Sequence, residues 1–261
     1  MRRVISFGCE GDTLMGTLDD APGETGLLMV SGGNEIRVGA HRGMALLSQR
    51  LAEEGVPCFR YDRRGIGDSI GTNRGFEASG PDLLAAVYAF REEAPYLRRI
   101  VAYGNCDAAS ALALVSAEAG IDALVLSNPW IGAGGSGGDL PPAAAIKARY
   151  LDRLKRPAEW MRLLKGQVDF PSLIRGLTAI STNKAEISDL QLRMAHALQT
   201  SRLPTTILLA EQDNTAIAFR EAWAKTSAPE AKLVTLDSAS HSFAGRSDRD
   251  WLFTQLLAAT R

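Results

Sequence analysis

The chain has 261 residues, 46% of them hydrophobic and 23% charged, with a net charge of −1. Those are ordinary values for one large α/β unit, and the near-neutral balance excludes bulk electrostatic attraction to nucleic acid or a bilayer surface. No apolar stretch approaches membrane-spanning length, and the basic start Met1-Arg2-Arg3 leads into no apolar signal segment, so a cytoplasmic protein is expected.

Short apolar runs alternate with longer helical patterns, which predicts a mostly parallel sheet with helices on both faces. Residues 4–7 and 14–18 read as a hairpin, and 27–30 as a buried strand running into Ser31-Gly32-Gly33-Asn34. The spacing of Met44, Leu47 and Leu51 predicts a helix over 40–54. A strand over 56–61 leads into the glycine-rich loop Asp62-Arg63-Arg64-Gly65-Ile66-Gly67-Asp68-Ser69, then a helix over 81–93 with Pro81 in its first turn. A strand over 100–103, a helix of small residues over 108–116 and a strand over 123–126 follow, the last ending in Ser127-Asn128-Pro129-Trp130. From 131 to 201 the rhythm changes. A glycine-rich linker occupies 132–138, and 141–199 reads as helices without β-branched runs. Two further βα units are the other arrangement for this stretch, but the missing β-branched runs favour a helical cap insertion at 131–201. It divides an α/β core of 1–130 and 202–261, which strands at 205–210 and 232–236 and a helix at 251–259 complete.

Between the strand at 100–103 and the helix at 108–116 lies Gly104-Asn105-Cys106-Asp107-Ala108. This is the nucleophile elbow G-x-S-x-G, with cysteine for serine and Ala108 for the second glycine. The small residues let the backbone double back, and the helix that follows turns its free amides and positive dipole end toward the sulfur. Free cysteine is usually a small apolar filler, which suits Cys9 and Cys58. The tight turn sets Cys106 apart. Three cysteines without regular spacing imply neither a disulfide framework nor a zinc site, and no metal or other cofactor is expected.

A cysteine nucleophile needs a base to take its proton and a carboxylate to orient that base. His241 lies in a small-residue loop beyond the last strand and is the candidate base. His196 falls in the predicted helix at 192–199, and His41 opens the helix after Gly32-Gly33. Asp213 follows the strand at 205–210, at the carboxyl end where catalytic groups collect in such sheets. Glu211, two residues earlier, is its rival. The oxyanion formed on attack needs two convergent amides. Asp107 supplies one, and the 31–34 loop the other, from Gly33 with Asn34 as the near alternative. Arg37, His41 and Arg42 are candidates to face an acidic head group, though equally a solvated helix start. Trp130, Trp160 and Met161 are candidates for an acyl pocket, though such side chains are more often plain core.

Across essentially the whole chain these residues resemble the α/β-hydrolase superfamily, in the chain order nucleophile, acid, histidine and in the D-x-R-G-x-G-x-S loop matched by residues 62–69. More narrowly, the elbow G-x-C-D-x-A-S at 104–110 and the stretch Gly32-Gly33…Arg37-Val38-Gly39-Ala40-His41-Arg42 are similar to the hydrolase 1 group associated with the exosortase A system. That group is known from bacterial clusters for exopolysaccharide production and protein sorting. The resemblance implies an α/β-hydrolase fold. With the candidate residues it predicts a Cys106-His241-Asp213 acyl hydrolase of a small-molecule ester or thioester. Acyl transfer through the same acyl-cysteine, and non-catalytic small-molecule binding on the same fold, are the alternatives. An intact nucleophile, acid and histidine argues against the last.

Overall fold

The computed structural model describes residues 1–132, 188–226 and 230–261. Its eight described strands form one sheet in the order β1-β2-β4-β3-β5-β6-β7-β8. The strands are β1 (Arg2–Cys9), β2 (Asp12–Asp19), β3 (Thr25–Val30), β4 (Cys58–Tyr61), β5 (Arg99–Asn105), β6 (Ala123–Ser127), β7 (Thr205–Ala210) and β8 (Lys232–Leu236). β1 pairs antiparallel with β2, and β2 with β4, while the pairs from β4 through β8 are parallel. The first hairpin closes on Glu10 and Gly11, both at positive φ. That is the two-residue turn whose twist matches paired strands.

Helices α1 (Gly43–Glu53) and α6 (Arg246–Thr260) cover one face, and α2 (Gly80–Glu93), α3 (Asp107–Val115), α4 (Asp189–Ser201) and α5 (Asn214–Trp223) the other. Strand alternation divides the core between them. Leu28, Val30, Ile100 and Ala102 point to the α2–α3 side, while Leu27, Met29, Val101 and Tyr103 point to the α1–α6 side. Strands covered on both faces read as continuous apolar runs, which is why β3 and β5 stand out in the sequence.

α6 begins five residues before the predicted 251, because Arg246 to Asp250 are polar and carry no helical apolar stripe. The predicted helix at 40–54 is broken. A 3-10 turn at Ala40–Arg42 precedes α1, with His41 and Arg42 at positive φ. α4 falls in the 131–201 interval, yet it packs against α3 and buries Leu190, Met194 and Leu198 in the same core cluster. The predicted linker beyond Gly132, the predicted helices up to residue 187, Trp160 and Met161 lie outside the described residues. No described helix is long and apolar enough to cross a membrane.

Candidate active site

The parallel strands deliver their loops to one edge of the sheet. β5 ends at Asn105, and Cys106 follows with φ 58° and ψ −125° at the N-cap of α3. A non-glycine residue there costs on the order of 1–3 kcal/mol and persists only where its surroundings enforce it. Here they do. The Cys106 N–H donates to the Ser127 carbonyl at 3.0 Å, and its carbonyl accepts from Ala109 at 3.1 Å and Trp130 at 3.2 Å. Gly104 makes the turn sterically possible, since a Cβ at that position would lie 2.8 Å from the Ala108 carbonyl carbon. Ala108 itself is fully buried and its methyl is accommodated. Cys106 is half-buried, whereas Cys9 and Cys58 are buried, as filler residues are.

Directly after β8, the loop 237–245 leads to α6 and carries His241. Phe243, fully buried and stacked on Trp251 at 5.6 Å, anchors it, and the Ser240 hydroxyl accepts the Ala244 N–H. His241 Nδ1 thereby lies 3.0 Å from Asp213 Oδ2. The same Asp213 oxygen accepts the N–H groups of Thr215 and Ala216, both at 3.0 Å, and so caps α5. Cys106 lies on the same side of the sheet, close enough for its sulfur to act on the ring. Burial alone lowers the His241 pKa, but the hydrogen bond to Asp213, the nearness of Cys106 and the charges of both outweigh it and push the value up to about 10. Glu211 instead lies 3.9 Å from Arg220. The sheet therefore brings together Cys106, His241 and Asp213, while His196 is exposed on α4 and His41 on its turn.

Asn128 was missed from the sequence. Fully buried beyond β6, it donates from Nδ2 to the His241 carbonyl and accepts the Ala210 N–H, both at 2.9 Å. It ties the histidine loop to the end of β7. In the orientation that satisfies its neighbours, the Asn105 amide adds a second bond to the His241 carbonyl, at 3.2 Å. In the sequence Ser127-Asn128-Pro129 stood only as the end of a strand, and that place was the one signal for it.

Other candidates sit differently. Arg37 is not open to a substrate. Its guanidinium bonds Asp62, Asp68 at 2.9 Å and the Thr17 hydroxyl at 3.0 Å, fastening the 31–37 loop to the glycine-rich loop. Asp62 is fully buried and also accepts the N–H groups of Arg37 and Asp68. Arg64 bonds Asp82 and Glu10, both at 2.7 Å. The D-x-R-G-x-G-x-S loop is thus a structural brace. His41 is exposed and makes no side-chain hydrogen bond to another described residue. Trp130, partly buried, meets Cys106 through its backbone. Asn34 is exposed, its side-chain oxygen accepting from Asn73 at 3.2 Å. Asp107 is the first residue of α3, where an amide lacks a helical partner. The Gly33 amide corrects the expectation of a donor standing open beside Cys106, because it donates to Asp107 Oδ1 at 2.6 Å. Among the described residues, no cluster of three or more His, Cys, Asp or Glu could hold a metal.

The fold has many counterparts among solved structures. An esterase of Pyrococcus furiosus superposes with a TM-score of 0.66 at 16% identity, covering 99% of this chain and 89% of its own. The alpha/beta hydrolase GrgF from Penicillium sp. sh18 gives 0.64 at 20% identity over 100% and 99%. A thioesterase domain from the curacin biosynthetic pathway gives 0.58 at 14% over 100% and 99%. Likeness at such identities shows the fold. No curated protein matches the chain. The family model described as the alpha/beta hydrolase family matches residues 27–254, from β3 through most of α6. The chain belongs to the alpha/beta hydrolase family.

Proposed function

We propose that this hydrolase is a cysteine-dependent esterase or thioesterase working through Cys106, His241 and Asp213. What supports the reading is the imidazole of His241, bonded to Asp213 and near enough to feel Cys106, which stands at the strained apex of its turn. With its thiol proton taken up by His241, the Cys106 sulfur attacks the acyl carbonyl, forming an S–C bond as the carbonyl electron pair moves onto oxygen. The Asp107 N–H, free at the start of α3, faces that developing charge. Collapse expels the alcohol or thiol, which takes its proton from His241. Because Cys106 is part of what raises the His241 pKa, acylating the sulfur lets that pKa fall. The imidazole can then take a proton from water as it attacks the thioester and releases Cys106. Asp213 holds Nδ1 throughout, leaving the other ring nitrogen for both transfers.

The structural likeness to an esterase and to a thioesterase domain favours both leaving-group classes. The Cys-Asp elbow at 106–107 and the 32–42 stretch support a place in the exosortase A-associated hydrolase 1 group, and the acyl-cysteine chemistry fits a small-molecule ester or thioester. The test is hydrolysis of short-chain p-nitrophenyl esters and acyl-CoA thioesters by the wild type and by Cys106→Ala and His241→Ala. Turnover that is lost in both variants, with folding intact, is expected. Turnover that survives Cys106→Ala overturns the assignment.

A further inference from the structure

Asp107 carries a charge one residue from Cys106, and its side chain is unused in the reaction above. Its Oδ1 takes the Gly33 N–H at 2.6 Å, a short, charge-assisted bond. One N–H cannot serve this carboxylate and a substrate oxyanion together. Gly32 lies against the same elbow, since a Cβ on it would lie 2.6 Å from the Asn105 carbonyl oxygen and 2.9 Å from Asp107 Oδ1. The loop that could stabilise an oxyanion is therefore already held by an anion of the protein.

Arg63 stands on the other side of that loop. Its Nη2 donates to the Gly33 carbonyl and lies 3.6 Å from Asp107 Oδ2, the one ion pair it makes among the described residues. The guanidinium is 5% exposed, and its Nε is buried with no hydrogen-bond partner among the described residues. It is a buried cation with spare donors beside a half-satisfied anion. The Asp107 side chain, 17% exposed, is not sealed in. Closing the gap to the 2.7–2.9 Å of a tight charged pair is a shift of about 1 Å.

We infer that Asp107 is a positioning residue that latches the oxyanion loop, holding Gly33 in the empty enzyme and releasing its amide to the reacting carbonyl by moving onto Arg63. The latch rests on the assignment of Cys106 as nucleophile. It keeps Gly33, at φ 55°, in place without substrate. It also makes the substrate displace an internal anion before both oxyanion donors are available. Arg63 provides the carboxylate with its second position and offsets its charge there. Arg63 occupies the variable position of the D-x-R-G pattern, so the pattern itself did not mark it.

The test is single-turnover acylation by p-nitrophenyl butyrate, followed as the nitrophenol burst and as acyl mass on Cys106. Wild type is compared with Asp107→Asn, Asp107→Ala, Arg63→Met and the Asp107→Ala/Arg63→Met double variant, each checked for folding by thermal unfolding. Asp107→Ala is expected to acylate about 10-fold faster, the reverse of the 10²–10³-fold loss that removing an oxyanion donor brings. Asp107→Asn, which keeps the shape and loses the charge, is expected between it and the wild type. Arg63→Met is expected to be slower, because the carboxylate loses its second position, and the double variant to return to the Asp107→Ala rate. Such non-additivity marks two residues acting on one step. Asp107 variants that acylate Cys106 no faster than wild type overturn the latch alone. Absence of any adduct on wild-type Cys106 overturns the nucleophile assignment and the latch together.

Discussion

Asp213 does two jobs with one oxygen, and substitution can separate them. Its Oδ2 accepts the Thr215 and Ala216 amides and the His241 Nδ1, all at 3.0 Å. Asp213→Ala removes an N-cap, a loss of about 1 kcal/mol, which lowers the melting temperature by roughly 2–4 °C in a domain of this size. Asp213→Asn keeps an oxygen for the cap and should lie within about 0.5 kcal/mol of wild type. Yet it withdraws the charge that contributes to holding the His241 pKa up at about 10 and no longer selects the Nδ1–H tautomer. The loss of turnover expected from that is large, on the order of 10⁴-fold where such a triad has been disrupted this way. Chemical denaturation and ester hydrolysis measured on the same preparations separate the two effects. The expected pattern is a stable but inactive Asn variant and a less stable, equally inactive Ala variant. An Asn variant with wild-type turnover would refute the assignment of Asp213, as would a larger loss from Glu211→Gln.

His241 also predicts a pH signature. Its folded-state pKa, about 10, stands above the ordinary 6.5, so its contribution to stability is fully present below about pH 6.5 and is lost as pH rises through about 10. The difference in urea midpoint between wild type and His241→Gln should therefore shrink across that interval. Asn128→Ala removes one of two partners of the His241 carbonyl and the partner of the Ala210 N–H. Leaving buried groups unsatisfied costs about 1–3 kcal/mol, so the unfolding midpoint and turnover should both fall. Iodoacetamide at neutral pH should label Cys106 first and inactivate the enzyme. Burial, reinforced by Asp82, pushes the Cys9 thiol up to about 11, and burial with Asp19 nearby raises that of Cys58. Equal labelling of all three, read by peptide mass spectrometry, would count against the site.

The sequence carried the frame of this molecule because its strands are buried on both faces. β3, β5 and β7 each hold an apolar run, at 27–30, 100–103 and 207–210, and the loops after them carry the candidates Gly33, Cys106 and Asp213. Long-range pairing was less legible. Arg37 read as a cation near the pocket, since nothing local reveals that Asp62 and Asp68, 25 and 31 residues later, fold against it. Gly33 read as an open amide for the same reason, as the carboxylate that takes it comes from Asp107. Asn128 drew no notice because its partners, Ala210 and His241, lie 82 and 113 residues away. That α4, within the 131–201 stretch, packs on α3 was not legible, because a helix packed on other helices has no strand signal to mark its neighbours.

The central claim is that Cys106 becomes covalently acylated. Rapid quenching after mixing with an acyl-CoA or a p-nitrophenyl ester, then intact-mass and peptide analysis, reads it directly. The account predicts one acyl group on the peptide containing Cys106. The adduct should persist in His241→Ala if it forms there at all, and be absent from Cys106→Ala. Hydrolysis that proceeds with no adduct on Cys106, or an adduct on another residue, would contradict it.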